Sequence, residues 1–279
     1  MISAKSPGVF SSPEDLSAVA KRLRLHIIKM IAKAGSGHPG GSLSAVEIVT
    51  ALYWKILRHK PSDPNWPNRD RFILSKGHAA PVLYAALAEC GYFPIDELQT
   101  LRQLHSRLQG HADRTHTPGV EMSSGSLGQG LSFGIGCALA ARLDKKDWRT
   151  YVLLGDGECE EGQVWEAAMA APHYKLDNLV AIVDNNGLQL SGCAADIMNL
   201  EPYADKFASF GWHTSEVDGH NFTELLSAFE EAKMVRGKPV AIIAKTVKGK
   251  GVSFMENNVA FHGAAPNAQQ LEIALKELA

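Results

Sequence analysis

The stretch Tyr151–Gly192, YVLLGDGECEEGQVWEAAMAAPHYKLDNLVAIVDNNGLQLSG, contains two short apolar runs that each end at a polar turn. The first run, Tyr151–Leu154, stops at Gly155-Asp156-Gly157, and the second, Leu179–Val183, leads to Asn185-Asn186. Short apolar runs bounded by glycine or asparagine are typical of buried parallel strands, and the residues between these two have helical composition. The stretch therefore predicts a strand–helix–strand unit.

Asp156 and Asn186 each follow one of these predicted strands. Because the carboxyl ends of parallel strands meet at one edge of the sheet, we expect the two side chains to lie close together. A carboxylate and a neutral carbonyl oxygen suit Mg²⁺, completed by water and substrate phosphates. Gly155 and Gly157 lack a Cβ and let the backbone approach a diphosphate closely at the start of a helix. GDG alone is more typical of a plain turn, but GDG and NN at this spacing favour a ligand site.

Predicted strands and helices alternate along the rest of the chain. Further strands are expected at Arg71–Leu74, Trp212–Val217 and Val240–Thr246. Helices are expected after an N-cap at Ser12, from a capping box at Ser44–Glu47 to Leu57, before Gly91, and at Ile95–Leu108, Leu131–Ala141, Tyr203–Phe210, Asn221–Val235 and Asn267–Leu278. The alternation predicts an α/β fold with a mostly parallel sheet and helices on both faces, as a single domain over residues 1–279.

The composition indicates an ordinary globular protein that binds neither nucleic acid nor membrane. The chain has 279 residues, 45% of them hydrophobic, and a formal net charge of −2. No basic block is longer than the short segment around Lys248 and Lys250, so nucleic acid and anionic membranes are not expected partners. The N-terminal residues lack the apolar region of a signal peptide. We therefore expect a cytoplasmic protein.

Several motifs resemble those of transketolases in sequence and order. GDG followed after about 27 residues by NN is similar to the thiamine diphosphate motif, and the four other matching segments are SGHPGGSLS (36–44), NRDRFILSKGHAAPVLYAAL (68–87), GHADRTHTPGVEMSSGSLGQGLSFGIG (110–136) and FHGAAP (261–266). The resemblance implies a thiamine diphosphate-binding fold with thiamine diphosphate and Mg²⁺ as cofactors. It also implies transfer of a two-carbon ketol unit between a ketose phosphate and an aldose phosphate.

The resemblance assigns roles to individual residues. It implies that Asp156, the Asn186 side chain and the backbone carbonyl of Leu188 bind magnesium. It places the remaining cofactor contacts at Gly125, Leu127, Gly157, His78 and His262. Glu161 would help to couple paired active sites. Lys245 is a weaker candidate for a charge near the diphosphate.

Four of the eleven histidines stand out from the rest. His38, His78, His111 and His262 each lie in a glycine-flanked turn and match the transketolase histidines around cofactor and substrate. Imidazole can exchange a proton near neutral pH, which a sugar hydroxyl requires when it becomes a carbonyl. We expect all four to be catalytic, with His38 and His262 nearest the substrate. The other seven are expected to be structural or solvent-facing.

The resemblance covers only the N-terminal domain of transketolases, which are usually far longer. The domain not covered carries the glutamate that activates the cofactor and the arginines that hold the sugar phosphate. We therefore expect the partner to be a separate C-terminal subunit, in a heterotetramer of two N-terminal and two C-terminal subunits, because the chain begins and ends like a complete polypeptide. A fragment of a longer enzyme is the alternative.

The sequence leaves three alternatives to a transketolase subunit. A subunit of 1-deoxyxylulose-5-phosphate synthase or another thiamine enzyme is a related possibility. A non-catalytic thiamine diphosphate-binding protein is a second, although diphosphate binding alone needs none of the four histidines. A nucleotide-dependent dehydrogenase is a distant third, because no G-x-G-x-x-G follows the first strand.

Overall fold

The computed structural model describes residues 13–279, and its centre is a five-stranded sheet in the order β1-β2-β3-β5-β4. The strands are β1 (Arg71–Leu74), β2 (Thr150–Gly155), β3 (Leu179–Asn185), β4 (His213–Asp218) and β5 (Val240–Lys245). All four pairings are parallel. The predicted parallel sheet is confirmed, with β3 at its centre.

Ten α-helices surround the sheet in the part of the chain that is described. They are α1 (Pro13–Ala34), α2 (Pro39–Ser44), α3 (Val46–Ala51), α4 (Ala80–Glu89), α5 (Gln129–Leu143), α6 (Gly162–His173), α7 (Ala194–Ile197), α8 (Tyr203–Ser209), α9 (Phe222–Met234) and α10 (Ala268–Glu277). A π-helical turn, Leu52–Ile56, extends α3, and the predicted N-cap Ser12 lies outside the described residues. No helix within residues 13–279 combines the length and apolar character that a membrane crossing needs.

Helices cover both faces of the sheet, as the sequence predicts. On β2, Tyr151 and Leu153 pack with residues of α1, α3, α4 and α9. The alternate residues Val152 and Leu154 pack with residues of α5, α6 and α8. Because successive side chains of a strand point to opposite faces, a strand buried on both sides must be apolar throughout. This explains the unbroken apolar runs that mark β2 and β3.

The start of the second predicted helix differs from the expectation. Residues 39–44 form α2, ahead of the expected helix start at Ser44, and Ser44 is the last residue of that helix. The Ser44 hydroxyl does not cap a helix but donates to Asp184 Oδ2 at 2.6 Å. Glu47 pairs with Arg24 at 2.6 Å. Both side chains of the expected capping box are thus used by tertiary contacts.

The helix predicted at Ile95–Leu108 is wrong beyond its first turns. Only Ile95–Thr100 is helical, as a short 3₁₀ segment, and the chain then turns. Arg102 and His105 have left-handed backbones with φ of 59° and 65°. Leu104, which lies inside the predicted helix, is 86% exposed. Leu98, Leu101 and Leu108 are buried, but the chain turns between them, so they pack at separate points and do not form one helical face.

Candidate active site at the carboxyl edge of the sheet

A cleft of about 190 Å³ opens where β2 and β3 end. Its lining comes from segments that are far apart in the chain: Gly41, Lys76, His78, Leu127, Gly155, Asp156, Gly157, Glu158, Asn186, Leu188, Gln189, Leu190, Lys248 and His262. The strand ends gather these segments because all five strands are parallel and point their carboxyl ends toward one edge. The ligand site predicted from GDG and NN therefore coincides with a real cleft.

The three predicted metal ligands, Asp156, Asn186 and Leu188, lie together in this cleft. The Asp156 carboxylate accepts hydrogen bonds from the backbone N–H of Gly157 at 2.8 Å and of Gly187 at 2.5 Å. The Asn186 side-chain oxygen accepts from the Leu188 backbone N–H at 3.2 Å. The two turns after β2 and β3 are thus joined through Asp156.

The Asp156 carboxyl is buried, which disfavours its ionised form. Burial, followed by the nearby Asp184 carboxylate, raises the pKa of Asp156 to about 6. Only 3% of the residue is exposed to solvent. A bound cation would offset the cost of ionising a carboxyl in such surroundings.

Lys76 and Asp184 form a fully buried ion pair behind the cleft, which the sequence pattern did not predict. Lys76 Nζ donates to Asp184 Oδ2 and, at 3.0 Å, to the Gly41 carbonyl. The hydroxyls of Ser44 and Thr246 also donate to Asp184. Burial works to raise the pKa of Asp184, but Lys76 and these hydroxyls hold it below its usual value. The only sequence signal was the position of Lys76, two residues after the end of β1.

A second lysine, Lys248, lies in the cleft and was also not predicted. Its Nζ donates to the Leu188 carbonyl at 2.8 Å, and 3% of the residue is exposed. Burial and then the charge of Lys76 lower the pKa of Lys248 to about 8. The weaker candidate Lys245 does not line the cleft, because its side chain is 68% exposed and pairs with Glu216 at 3.2 Å. Of these two lysines, Lys248 lies in the cleft and Lys245, the residue named from the sequence, does not.

Glu158, which the sequence did not single out as a site residue, connects three segments below the cleft. One carboxylate oxygen accepts from the Ser75 hydroxyl and from the Gly128 N–H at 2.9 Å, and the other accepts from the Gly155 N–H at 3.0 Å. Burial raises the pKa of Glu158. Its position inside the GDGE turn was the signal, since a carboxylate there can reach the backbone of both neighbouring loops.

The four predicted histidines come together beside the cleft. The ring centroid of His38 lies 5.5 Å from that of His78, 5.9 Å from that of His111 and 5.6 Å from that of His262. His78 and His262 are stacked at 5.1 Å. Four glycine-flanked turns from distant parts of the chain thus form one cluster, which we call the four-histidine cluster. No group of three or more His, Cys, Asp or Glu side chains among residues 13–279 is arranged to hold a metal ion.

The surroundings of the four imidazoles lower the pKa of each and so favour the neutral form. The pKa is lowered to about 4 for His38, by burial and then by the charge of Arg102, and to about 4 for His262, by burial and then by Lys248. Burial and Lys76 hold the pKa of His78 well below its usual value. A neutral imidazole can accept a proton or a hydrogen bond from a hydroxyl.

Two atoms of the cluster have no hydrogen-bond partner within the described part of the protein. The Nδ1 atoms of His38 and His262 are buried and unpaired. An unpaired buried polar atom costs free energy that a ligand can recover. These two atoms are therefore polar groups of the four-histidine cluster that the described fold leaves unsatisfied.

Most of the remaining predicted residues lie at the cleft or beside the four-histidine cluster, and one lies away from both. Leu127 lines the cleft, and a Cβ on Gly157 would lie 2.9 Å from the Gln189 Cγ, so a side chain there would have to displace the Gln189 side chain. Gly125 has φ of +147°, and its position 3.5 Å from the His111 ring, measured from a Cβ placed on it, puts it beside the cluster. Glu161 is exposed, flanks the start of α6 and does not line the cleft.

Comparison with known proteins matches this architecture to a family. Residues 16–278 match the family described as transketolase, thiamine diphosphate binding domain. The chain belongs to the transketolase family. Transketolase from Campylobacter jejuni has the same fold, with a TM-score of 0.91 and 35% sequence identity, covering 96% of this chain and 43% of the solved chain. The chain thus spans less than half the length of that transketolase, and its thiamine diphosphate-binding fold is confirmed.

Two relatives within the transketolase family have nearly the same length as this chain. The 6-deoxy-6-sulfo-D-fructose transketolase subunit of Clostridium sp. (strain MSTE9) is 46% identical over 264 residues, 95% of this chain and 96% of the relative. An apulose-4-phosphate transketolase subunit of Phocaeicola vulgatus is 43% identical over 265 residues, 95% of this chain and 94% of the relative. Both relatives are named as subunits, which agrees with an N-terminal transketolase subunit.

Proposed function

We propose that this chain is the N-terminal subunit of a thiamine diphosphate- and magnesium-dependent transketolase. In this proposal it transfers a two-carbon ketol unit between a ketose phosphate and an aldose phosphate, together with a separate C-terminal subunit. The observation that carries the proposal is the four-histidine cluster beside the cleft that Asp156, Gly157 and Asn186 line. A diphosphate site alone needs no such cluster.

The residues of the cleft fit thiamine diphosphate and Mg²⁺. Asp156, the Asn186 side chain and the Leu188 carbonyl offer one carboxylate and two neutral oxygens, a set that leaves magnesium positions for phosphate oxygens and water. Gly157 leaves no side chain between backbone and diphosphate, and Lys248 supplies a buried cation nearby. When bound, thiamine diphosphate supplies the carbon nucleophile and electron sink for ketol transfer.

The chain's own contribution to catalysis is to hold substrate hydroxyls and move their protons. His38 and His262 have lowered pKa values and unpaired Nδ1 atoms, so each can accept a hydrogen bond or proton from a hydroxyl of the sugar. In this proposal His78 and His111 complete the wall around the cofactor and substrate. Gly125 and Leu127 shape the cofactor side of the cleft, and Glu161 couples paired sites from the surface.

In this proposal a C-terminal subunit supplies the glutamate that activates the cofactor and the arginines that hold the sugar phosphate. We propose a heterotetramer of two copies of this single-domain chain and two C-terminal subunits, located in the cytoplasm. The exposed position of His111 supports this, because a residue of the cluster that faces solvent can be covered by a second chain. The names of the two relatives of similar length support the division into subunits.

The substrate in this proposal is a sugar that carries an anionic group. The two relatives are named for a sulfonated sugar and for a sugar phosphate. Sugar phosphates as donor and acceptor are the expectation for this chain. The two names differ in the sugar, so the family relationship leaves the choice of sugar to experiment.

The deciding experiment is an assay of transketolase activity, from xylulose 5-phosphate to ribose 5-phosphate, with thiamine diphosphate and magnesium. The chain is assayed alone and then with a candidate C-terminal transketolase subunit. Activity only in the mixture is the expected result. Full activity of the isolated chain as a monomer would refute the two-subunit proposal. Cofactor binding without activity in any mixture would favour a sister thiamine enzyme or a non-catalytic binding protein.

A further inference from the structure

Arg102 has a backbone conformation that L-residues rarely adopt. Its φ is 59°, and its backbone N–H donates to the Leu108 carbonyl at 2.9 Å. A non-glycine residue in the left-handed region costs roughly 1 kcal/mol or more, and such residues are enriched at functional sites. The turn that closes on Leu108 holds this conformation in place and aims the side chain.

The Arg102 side chain connects the two backbone segments that carry His38 and His111. Nη1 donates to the Ser36 hydroxyl at 3.3 Å, two residues before His38. The guanidinium also lies flat against Gly110, where a Cβ would come within 3.0 Å of the Arg102 Cζ. Gly110 immediately precedes His111. The guanidinium therefore stands at the rim of the four-histidine cluster.

The charge of Arg102 is not neutralised by the described part of the protein. Within residues 13–279 no carboxylate forms an ion pair with it, and its side chain is exposed. Arg107, five residues later in the same segment, is different: it pairs with Glu97 at 2.8 Å and lies over the Phe93 ring. After burial, the charge of Arg102 is the largest cause of the lowered pKa of His38 and of His111. The Arg102 guanidinium therefore lies close enough to His38 and His111 for its charge to lower the pKa of both imidazoles.

We infer that Arg102 binds the anionic group, phosphate or sulfonate, of the sugar that enters the four-histidine cluster. The inference rests on the proposed function and adds a specificity-determining residue to it. A guanidinium offers a planar fork of donors that matches the oxygens of such groups. The resemblance to transketolases places the arginines for the sugar phosphate in the C-terminal part, whereas this geometry assigns one to the N-terminal chain.

The test compares an anionic with a neutral acceptor in the assembled two-subunit enzyme. We expect Arg102→Gln to raise KM for ribose 5-phosphate at least 10-fold, while KM and kcat for glycolaldehyde change less than 2-fold. Arg102→Lys should recover part of the loss, because it restores the charge without the fork. Arg107→Gln is the matched control and should leave both acceptors unaffected.

Two kinetic results would overturn the inference. An equal loss with both acceptors would assign Arg102 to holding Ser36 and Gly110 in place. Unchanged kinetics with both would remove any role in binding the anion. Inorganic phosphate is added in a separate arm, where it should inhibit the reaction with ribose 5-phosphate in the wild type and much less in Arg102→Gln.

A second measurement separates this inference from the proposed function. If the wild-type assembly is inactive with both acceptors, the proposed function fails, and inorganic phosphate is titrated into the full chain labelled at histidine for NMR. A saturable shift of the His38 and His111 signals, present in wild type and in Arg107→Gln but lost in Arg102→Gln, would still support an anion site. No saturable shift in the wild type would overturn it.

Discussion

Replacing Asp156 by asparagine should make the chain more stable in the absence of magnesium while abolishing magnesium-dependent cofactor binding. The pKa of Asp156 is raised from 3.8 to about 6, chiefly by burial. At about 1.4 kcal/mol per pKa unit, the ionised carboxylate destabilises the folded chain by about 3 kcal/mol above pH 6. Asparagine removes this penalty but can accept only one of the two backbone hydrogen bonds, from Gly157 and Gly187, a loss of about 1 kcal/mol.

The net gain is therefore about 2 kcal/mol at pH 7.5. The measurement is urea-induced unfolding with a metal chelator present, for wild type and Asp156→Asn, at pH 7.5 and pH 4. The folded chain binds the proton more tightly than the unfolded chain, so the penalty is absent below about pH 4 and grows as the pH rises to about 6. The advantage of the variant should consequently disappear at pH 4.

Asp184→Asn is the control for this experiment. Asp184 is also buried, but its pKa is lowered because Lys76 and two hydroxyls stabilise its charge against the effect of burial. Its replacement should therefore destabilise the chain at pH 7.5, with the opposite sign to Asp156→Asn. If Asp156→Asn unfolded at lower urea than wild type at pH 7.5, or changed stability equally at both pH values, the assignment of a raised pKa to Asp156 would be refuted.

Three further substitutions address the cleft. Gly157→Ala should weaken thiamine diphosphate binding at least 10-fold in calorimetry with little change in unfolding free energy, because the new Cβ meets only the flexible Gln189 side chain at 2.9 Å; unchanged affinity would argue against a diphosphate at this turn. Lys76→Met should cost about 3 to 5 kcal/mol in urea unfolding, since it leaves Asp184 charged and unpaired, and a cost below about 1 kcal/mol would contradict the buried pair. His262→Ala should retain cofactor binding and lose turnover in the assembled enzyme, so an active variant would exclude His262 as a proton carrier.

The fold was predictable where local pattern and tertiary structure agree. Residues 151–154 of β2 and 179–183 of β3 are buried on both faces and are therefore apolar, and each strand ends at a glycine or asparagine. The segment after Thr100 was not predictable in this way. Its leucine spacing suits a helix, but the backbone is left-handed at Arg102 and His105, and the Arg102 side chain donates to Ser36, which is distant in sequence. Ser44 failed as a predicted cap for the same reason.

The candidate site was likewise predictable only where the local sequence carries a signal. The glycine-flanked histidines carry a signal in the sequence itself, and the structure brings all four together. The pairing of Lys76 with Asp184 carries none, because 108 residues separate the partners and only the assembled sheet makes them neighbours. The family roles of individual cleft residues stay predictions, since geometry places the side chains without showing the ligand that they would hold.

The strand order has a consequence for how the chain is made. β3 is central, yet β5, its neighbour on one side, is synthesised only after β4, and the Thr246 hydroxyl that completes the surroundings of Asp184 follows that residue by 62 positions. While the ribosome adds the intervening residues, β3 has an open edge that a strand of another molecule could occupy. Lys248 and His262 emerge later still. The nascent polypeptide therefore carries an open sheet edge until β5 arrives, and its cleft is completed only afterwards, when Lys248 and His262 follow.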